Sequence, residues 1–196
     1  MLCLLLVALA VAWGPVAQAG AKPPPASPDG DRPLQLTESV ESHLWGTVQQ
    51  VLNATRVVVV TPDRRRYDMR LLGIDPPEPS RPGGPFVQSV EGQPFGVEAA
   101  TYLHDLVLGK QVQFETFGKD PSGRTLAVIW LGDLNVNLIL VKEGLAWVQP
   151  HIPVMWVRAE LEVAERQAQV GKYGLWALPN PEPPWEFRKR NHLSVE

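Results

Sequence analysis

Apolar and polar positions alternate over short runs in the first half of the chain and again after residue 110. Such alternation, interrupted by turn residues, is typical of strands with one buried face. Pro62 occupies the second position of a turn at residues 61–64, which predicts a hairpin tipped by the basic run at residues 64–66. The five predicted strands cover residues 44–52, 56–61, 67–74, 111–116 and 126–131.

Three other segments place apolar residues at helical spacing, at residues 97–108, 136–143 and 156–170. In the longest of them the apolar stripe recurs at i, i+4, i+7 and i+11, and Gly171 ends it. One helix follows the third strand, and the other two come after the fifth. This order predicts an α+β, mainly β, fold: a five-stranded OB-type barrel with three helices.

The ends of the chain differ from this central domain. Residues 1–19 combine an apolar run with the small-x-small sequence Ala17-Gln18-Ala19, which predicts a signal peptide and a secreted or periplasmic protein. No Lys or Arg precedes the apolar run, so an uncleaved N-terminal membrane anchor is the alternative. Residues 20–38 are predicted as a Pro-rich linker, 39–185 as the folded domain and 186–196 as a polar C-terminal tail.

Composition narrows the possible classes of function. The 196 residues are 44% hydrophobic, enough for one well-packed domain, and the net charge of -3 gives no strong overall attraction for polyanions. Cys3 is the only cysteine, so removal of the signal peptide excludes disulfides and cysteine-based zinc sites. No glycine-rich phosphate loop is present, so no cofactor nucleotide is expected. We expect a monomer without a transmembrane segment after signal removal.

The candidate chemistry is concentrated where the third predicted strand ends. Asp75 is followed by Pro76 and Pro77, which prevent the strand from continuing, and Glu78 comes about one turn later. With Arg70 upstream, two carboxylates and a guanidinium can surround one small volume suited to a hard divalent cation and a phosphate. A proline-rich turn with solvated acids and an Arg partner is the alternative interpretation.

Five segments, in this order and spacing, resemble the thermonuclease, or staphylococcal-nuclease-like, family. They are RLLGIDPPE at residues 70–78, QPFGVEA at 93–99, KDPSGRTLA at 119–127, NLILVKEGLA at 137–146 and GLW at 174–176. The resemblance implies hydrolysis of phosphodiester bonds in DNA or RNA. It also implies three catalytic residues: Glu78 orients or activates the attacking water, and Arg70 and Arg124 bind the substrate phosphate.

The resemblance further implies a Ca²⁺ ion bound by Asp75 and the backbone carbonyl of Pro76. Thr55 stands at the position of a second metal-binding aspartate, and Arg56 adds a positive charge beside it, so weakened metal binding is expected. Ser122 replaces a tyrosine that helps to hold nucleotide. A non-catalytic module of this fold that binds nucleic acid or a protein partner is therefore the alternative function.

Export predicts that the mature chain begins near Gly20 or Ala21 and contains no cysteine, because cleavage would follow the small-x-small sequence. N-terminal sequencing or intact-mass measurement of the protein from its native host checks this. Recovery of a membrane-bound protein that retains Met1 would establish the anchor instead.

Overall fold

The computed structural model describes residues 41–83 and 89–194, with side chains from residue 44 onward. Among these residues, five long strands form a closed barrel in the order β3-β2-β1-β5-β6. Neighbouring strands are antiparallel, and the parallel pairing of β3 with β6 closes the barrel. The strands are β1 (Glu41–Asn53), β2 (Arg56–Val60), β3 (Arg66–Leu71), β4 (Ile74–Asp75), β5 (Gln111–Lys119), β6 (Thr125–Leu131), β7 (Leu134–Asn135) and β8 (Trp147–Val148).

Helices contribute buried apolar side chains to the same core as the barrel strands. The predicted apolar stripe of the long helix at Met155–Gly171 is confirmed, since Val157, Leu161, Ala164 and Ala168 are all buried. The mainly β, OB-type barrel predicted from the sequence is also confirmed, although it carries four α-helices in the described residues instead of three. They are α1 (Gly96–Val107), α2 (Val136–Lys142), α3 (Met155–Gly171) and α4 (Pro184–Arg190), with a 3-10 helix at Gly174–Ala177.

The third strand is shorter than its apolar pattern predicted. A turn at Leu72 and Gly73 divides it, and the chain resumes as the two-residue strand β4. Gly73 has a φ of +83°, and a Cβ there would lie 2.7 Å from Leu161 Cδ1, so both the backbone conformation and the packing favour glycine. The turn moves Asp75 away from the barrel wall and pairs it with Trp147 of β8.

A fourth helix lies across the start of the segment predicted as a polar tail, residues 186–196. Residues 184–190 form α4, which begins at Pro184 and buries Phe187 and Arg188. Proline is favoured in the first turn of a helix because it lacks only an N–H that would have no helical partner. The predicted signal peptide and linker lie outside the described residues. Within residues 41–83 and 89–194, no helix is long and apolar enough to cross a membrane.

The buried side chain of Asn137 joins α2 to two parts of the barrel. Its amide nitrogen donates to the carbonyls of Leu72 (2.9 Å) and Ala127 (3.1 Å), and its Oδ1 accepts from the backbone N of Ile129 (3.2 Å). These bonds satisfy backbone groups where β3 ends beside β6. Asn137 therefore fixes the position from which the chain turns toward Asp75.

We expect Asn137→Leu to destabilise the fold, because a side chain of similar size would leave buried backbone groups without partners. Each such group costs about 1–3 kcal/mol. Urea unfolding should show this loss, whereas Asn180→Leu at an exposed position should change the free energy of unfolding by less than about 0.5 kcal/mol. Equal stability of the two variants would contradict the assigned role of Asn137.

Candidate active site

The position of Asp75 is set by contacts between short segments. Its strand β4 pairs with β8, and the backbone N of Gln149 donates to the carbonyl of Gly73 at 2.9 Å. Glu165 of α3 accepts from the backbone N of Val148 at 2.8 Å, which fixes β8 in turn. Burial raises the pKa of Glu165, and this hydrogen bond opposes the increase. Asp75 is consequently held in a buried position at the edge of the barrel.

The backbone of Glu78 is held by the segment that leads into α1. The backbone N of Glu78 donates to Gln93 Oε1 (3.0 Å), and the backbone N of Gln93 donates to the carbonyl of Glu78 (2.8 Å). A Cβ at Gly96 would lie 2.5 Å from that carbonyl oxygen, so the close approach requires glycine. Both the backbone N–H and the carbonyl of Glu78 are therefore hydrogen-bonded to Gln93, which holds the loop after the two prolines in place.

One small pocket, with a volume of about 50 Å³, lies between these segments. One water molecule takes up about 30 Å³ in the liquid, so a pocket of this size holds one or two water-sized groups and cannot enclose a whole nucleoside. Five of the six residues predicted for the site line it together: Thr55, Arg70, Asp75, Pro76 and Glu78. Their predicted functional roles stay predictions, but the predicted proximity is observed.

Arg124, the sixth residue, lies outside this pocket. Its Nε donates to Asp120 Oδ2 at 2.6 Å, and its backbone N donates to Asp120 Oδ1 at 2.9 Å. The side chain lines an adjacent groove together with Arg56 and Asp68. Arg124 still acts on the pocket through its charge, which contributes to lowering the pKa of Arg70.

Arg70 is the most unusual cation of the pocket. Its side chain is 12% exposed, its Nη2 lies 3.9 Å from Asp75 Oδ1, and its Nε has no hydrogen-bond partner among the described residues. Burial lowers its pKa, as do the charges of Arg124 and Arg188, while the charge of Asp75 opposes the change. A buried guanidinium with an unpaired donor is suited to binding an anion.

Arg188 of α4 also lines the pocket, although it is not among the site residues predicted from the sequence. Its Nη2 donates to Asp75 Oδ2 at 2.6 Å, and its Nη1 donates to Asp75 Oδ1 at 3.2 Å and Glu78 Oε1 at 2.7 Å. Burial lowers the pKa of Arg188, but hydrogen bonds and charge attraction from the two carboxylates outweigh this effect and raise it. One sequence signal was available: Pro184, Phe187 and Arg188 share a helical face at i, i+3 and i+4.

A second guanidinium approaches Glu78 from the other side. Arg81 Nη2 donates to Glu78 Oε2 at 3.1 Å, so both oxygens of this carboxylate accept from arginines. Each oxygen keeps a further lone pair for another donor. Glu78 is therefore oriented by charged hydrogen bonds and can still accept a hydrogen bond from a water molecule.

Thr55 and Arg56 are placed differently from each other. The Thr55 backbone N and Oγ1 both donate to Asn53 Oδ1, at 2.9 and 3.2 Å, which closes the turn between β1 and β2 beside the pocket. Arg56 points to the adjacent groove, where its Nε donates to Asp68 Oδ1 at 2.8 Å. Its expected opposition to a bound cation is reduced, because Asp68 pairs with its charge.

The donor set of the pocket does not fit a Ca²⁺ ion. Calcium takes six to eight oxygen ligands, and its affinity depends on the number of charged ligands. The two carboxylates, Asp75 and Glu78, are already bridged by Arg188. Thr55, which has no charge, stands at the position of the second metal-binding aspartate. In the part of the chain that the structure describes, no three His, Cys, Asp or Glu residues are grouped to hold a metal ion.

The fold and the paired acids and arginines define a barrel of the nuclease type. The family model described as staphylococcal nuclease homologue matches residues 68–178, and the chain belongs to this family. It is 31% identical over 153 residues to the thermonuclease of Staphylococcus intermedius, covering 76% of this chain and 85% of that protein.

Two further relatives extend this comparison. The chain is 33% identical over 122 residues to the thermonuclease of Staphylococcus hyicus, covering 61% of this chain and 69% of that protein. It is 35% identical over 145 residues to a probable staphylococcal-like nuclease of Oryza sativa subsp. japonica, covering 73% of this chain and 38% of that protein. The chain spans about a third of the length of the plant relatives it matches.

We expect Asp120→Asn to loosen the turn that holds Arg124. The carboxylate accepts from two backbone N–H groups and the guanidinium, and loss of its charge should cost about 1–3 kcal/mol in urea unfolding. Asp133→Asn, at an exposed turn, is the matched control and should change the free energy of unfolding by less than about 0.5 kcal/mol. Unchanged stability of the Asp120 variant would contradict this role.

Proposed function

We propose that this chain is an exported nuclease that hydrolyses phosphodiester bonds in DNA or RNA. The observation that carries the proposal is the small pocket in which Glu78 and Asp75 lie beside the buried Arg70 and Arg188. Membership of the staphylococcal nuclease homologue family and the likeness to thermonucleases support it. Export rests on the apolar segment at residues 1–19, and we propose that the mature protein acts as a monomer.

The arginines provide the electrostatic part of this activity. Phosphoryl transfer spreads negative charge over the equatorial oxygens of the phosphate in the transition state. Arg70 and Arg188 are charged donors held in a largely buried pocket, where their attraction for these oxygens exceeds that in water. Arg124 lines the adjacent groove together with Arg56, and a neighbouring phosphate of the nucleic acid can bind there.

Glu78 provides the group that orients water. Attack on phosphorus requires a water molecule positioned in line with the leaving oxygen, and a nearby carboxylate accepts the proton that this water loses. The hydrogen bonds from Arg81 and Arg188 fix the direction of the Glu78 carboxylate. Its fixed backbone limits further movement.

A second function is favoured by one observation. Arg188 bonds to both carboxylates while Thr55 replaces an acid, which would suit a module that binds nucleic acid without cleaving it. Such a module would keep the phosphate affinity of Arg70 and Arg188 and lack turnover. The two functions differ in whether single-stranded DNA or RNA is shortened.

The purified mature chain should degrade single-stranded DNA or RNA, assayed separately with Ca²⁺, with other divalent ions and with a chelator. Glu78→Gln, Arg70→Ala and Arg124→Ala should each lower kcat by about 100-fold or more, because they remove the water-orienting carboxylate or a charged phosphate donor. Circular dichroism should show that each variant is folded.

The matched controls are Glu186→Gln and Lys189→Ala on exposed positions of α4, which should keep the parent rate. A Glu78 variant that cleaves as fast as the parent would contradict the assigned mechanism. A folded parent that binds oligonucleotide and shortens none under any of the three conditions would favour the non-catalytic module.

A further inference from the structure

A single nitrogen atom of Arg188 occupies the space between the two carboxylates. Nη1 lies 3.2 Å from Asp75 Oδ1 and 2.7 Å from Glu78 Oε1. A divalent ion shared by the same two groups would have to approach their oxygens to about 2.3–2.6 Å. The ion and the guanidinium would therefore compete for one position, and only one of them can bridge these oxygens.

The charges around this position favour an anion over a cation. The negative charges of Asp75 and Glu78 are matched by Arg188 and Arg70, and Arg81 bonds to the outer oxygen of Glu78. No excess negative charge is left to attract a divalent ion. Thr55, at the position of the family's second metal-binding aspartate, contributes no negative charge.

The helix that carries Arg188 is firmly packed, so the guanidinium is not on a loose segment. Trp185 contacts Trp147, with ring centroids 5.9 Å apart, and Phe187 is 5% exposed. Ahead of the helix, Gln93 Nε2 donates to the carbonyl of Glu182 at 2.7 Å. Gln93 is the same side chain that holds the backbone of Glu78, so the carboxylate and the segment before α4 are positioned by one residue.

We propose that Arg188 is the resident cation of this pocket and that the pocket binds a phosphodiester without a divalent ion. Three of the five guanidinium N–H groups bond to the carboxylates, which leaves others for a phosphate oxygen. Arg188 lies beyond residues 68–178, the range that matches the family model. The choice of phosphodiester as ligand rests on the proposed nuclease function.

The first test measures calcium binding through melting temperature and needs no activity. The parent should show no shift with Ca²⁺, because Arg188 holds both carboxylates. Arg188→Gln releases them and should melt a few degrees higher with Ca²⁺ at about ten times its Kd than without it. Arg190→Gln, on the same helix and paired with Glu182 at the surface, should behave as the parent.

The second test measures binding of a hydrolysis-resistant single-stranded oligonucleotide in chelator. The parent should bind with the same Kd in chelator and in Ca²⁺, and Arg188→Gln should bind roughly 10- to 100-fold more weakly in chelator, because a charged hydrogen bond is lost. Arg188→Lys keeps the positive charge and should retain part of the affinity. If Arg188→Gln does not fold, Arg188→Lys replaces it in both tests. The melting temperature of Arg188→Lys should then not change with Ca²⁺.

The outcomes separate this inference from the proposed function. A parent that is stabilised by Ca²⁺ as strongly as Arg188→Gln, or that binds the oligonucleotide only with Ca²⁺, overturns the resident cation even if the protein is a nuclease. The resident cation is supported if Ca²⁺ changes neither the melting temperature nor the oligonucleotide affinity of the parent and raises the melting temperature of Arg188→Gln. This holds even if no cleavage is found.

Discussion

The ion pairs between Arg188 and the carboxylates of Asp75 and Glu78 are the interaction on which the site depends. The partners are 113 and 110 residues apart in the chain, so they join the last described helix to the corner after the third barrel strand. Burying a charge is costly unless it is paired and hydrogen-bonded, and each of these groups satisfies the others. Neither the corner nor the helix would be stable in its observed position with an uncompensated charge facing it.

The rest of the fold supplies rigid supports for that cluster. Asn137 hydrogen-bonds to the backbone at the point where β3 ends and the turn at Gly73 begins. β8 pairs with the strand that carries Asp75. Gln93 holds both the Glu78 peptide unit and the chain before α4. The site is consequently held by hydrogen bonds from the side chains of Asn137, Gln93 and Glu165 to the backbone, and the charged groups of the pocket are placed on this frame.

The local sequence pattern predicted those elements whose formation depends on residues close together in the chain. Period-two alternation and helical spacing located the strands and the long helix, and the prolines after Asp75 marked the end of a strand. The position of Gly73 as a turn depended on packing against Leu161, which periodicity does not contain. Arg188 could not be distinguished by chemistry from Lys189 and Arg190, because its role comes from a contact far along the chain. Only the apolar face that it shares with Pro184 and Phe187 set it apart.

The late place of α4 in the chain has a consequence for biosynthesis. All five barrel strands and both carboxylates leave the ribosome before residue 188, and domains begin to fold from the part made first. At that stage Asp75 and Glu78 have Arg70 and Arg81 beside them but lack Arg188, the one cation that bonds to both carboxylates. The corner can therefore take its final form only after α4 has been made. Docking of α4 therefore completes the ion pairs of the corner at the same time as it buries the apolar face of a helix.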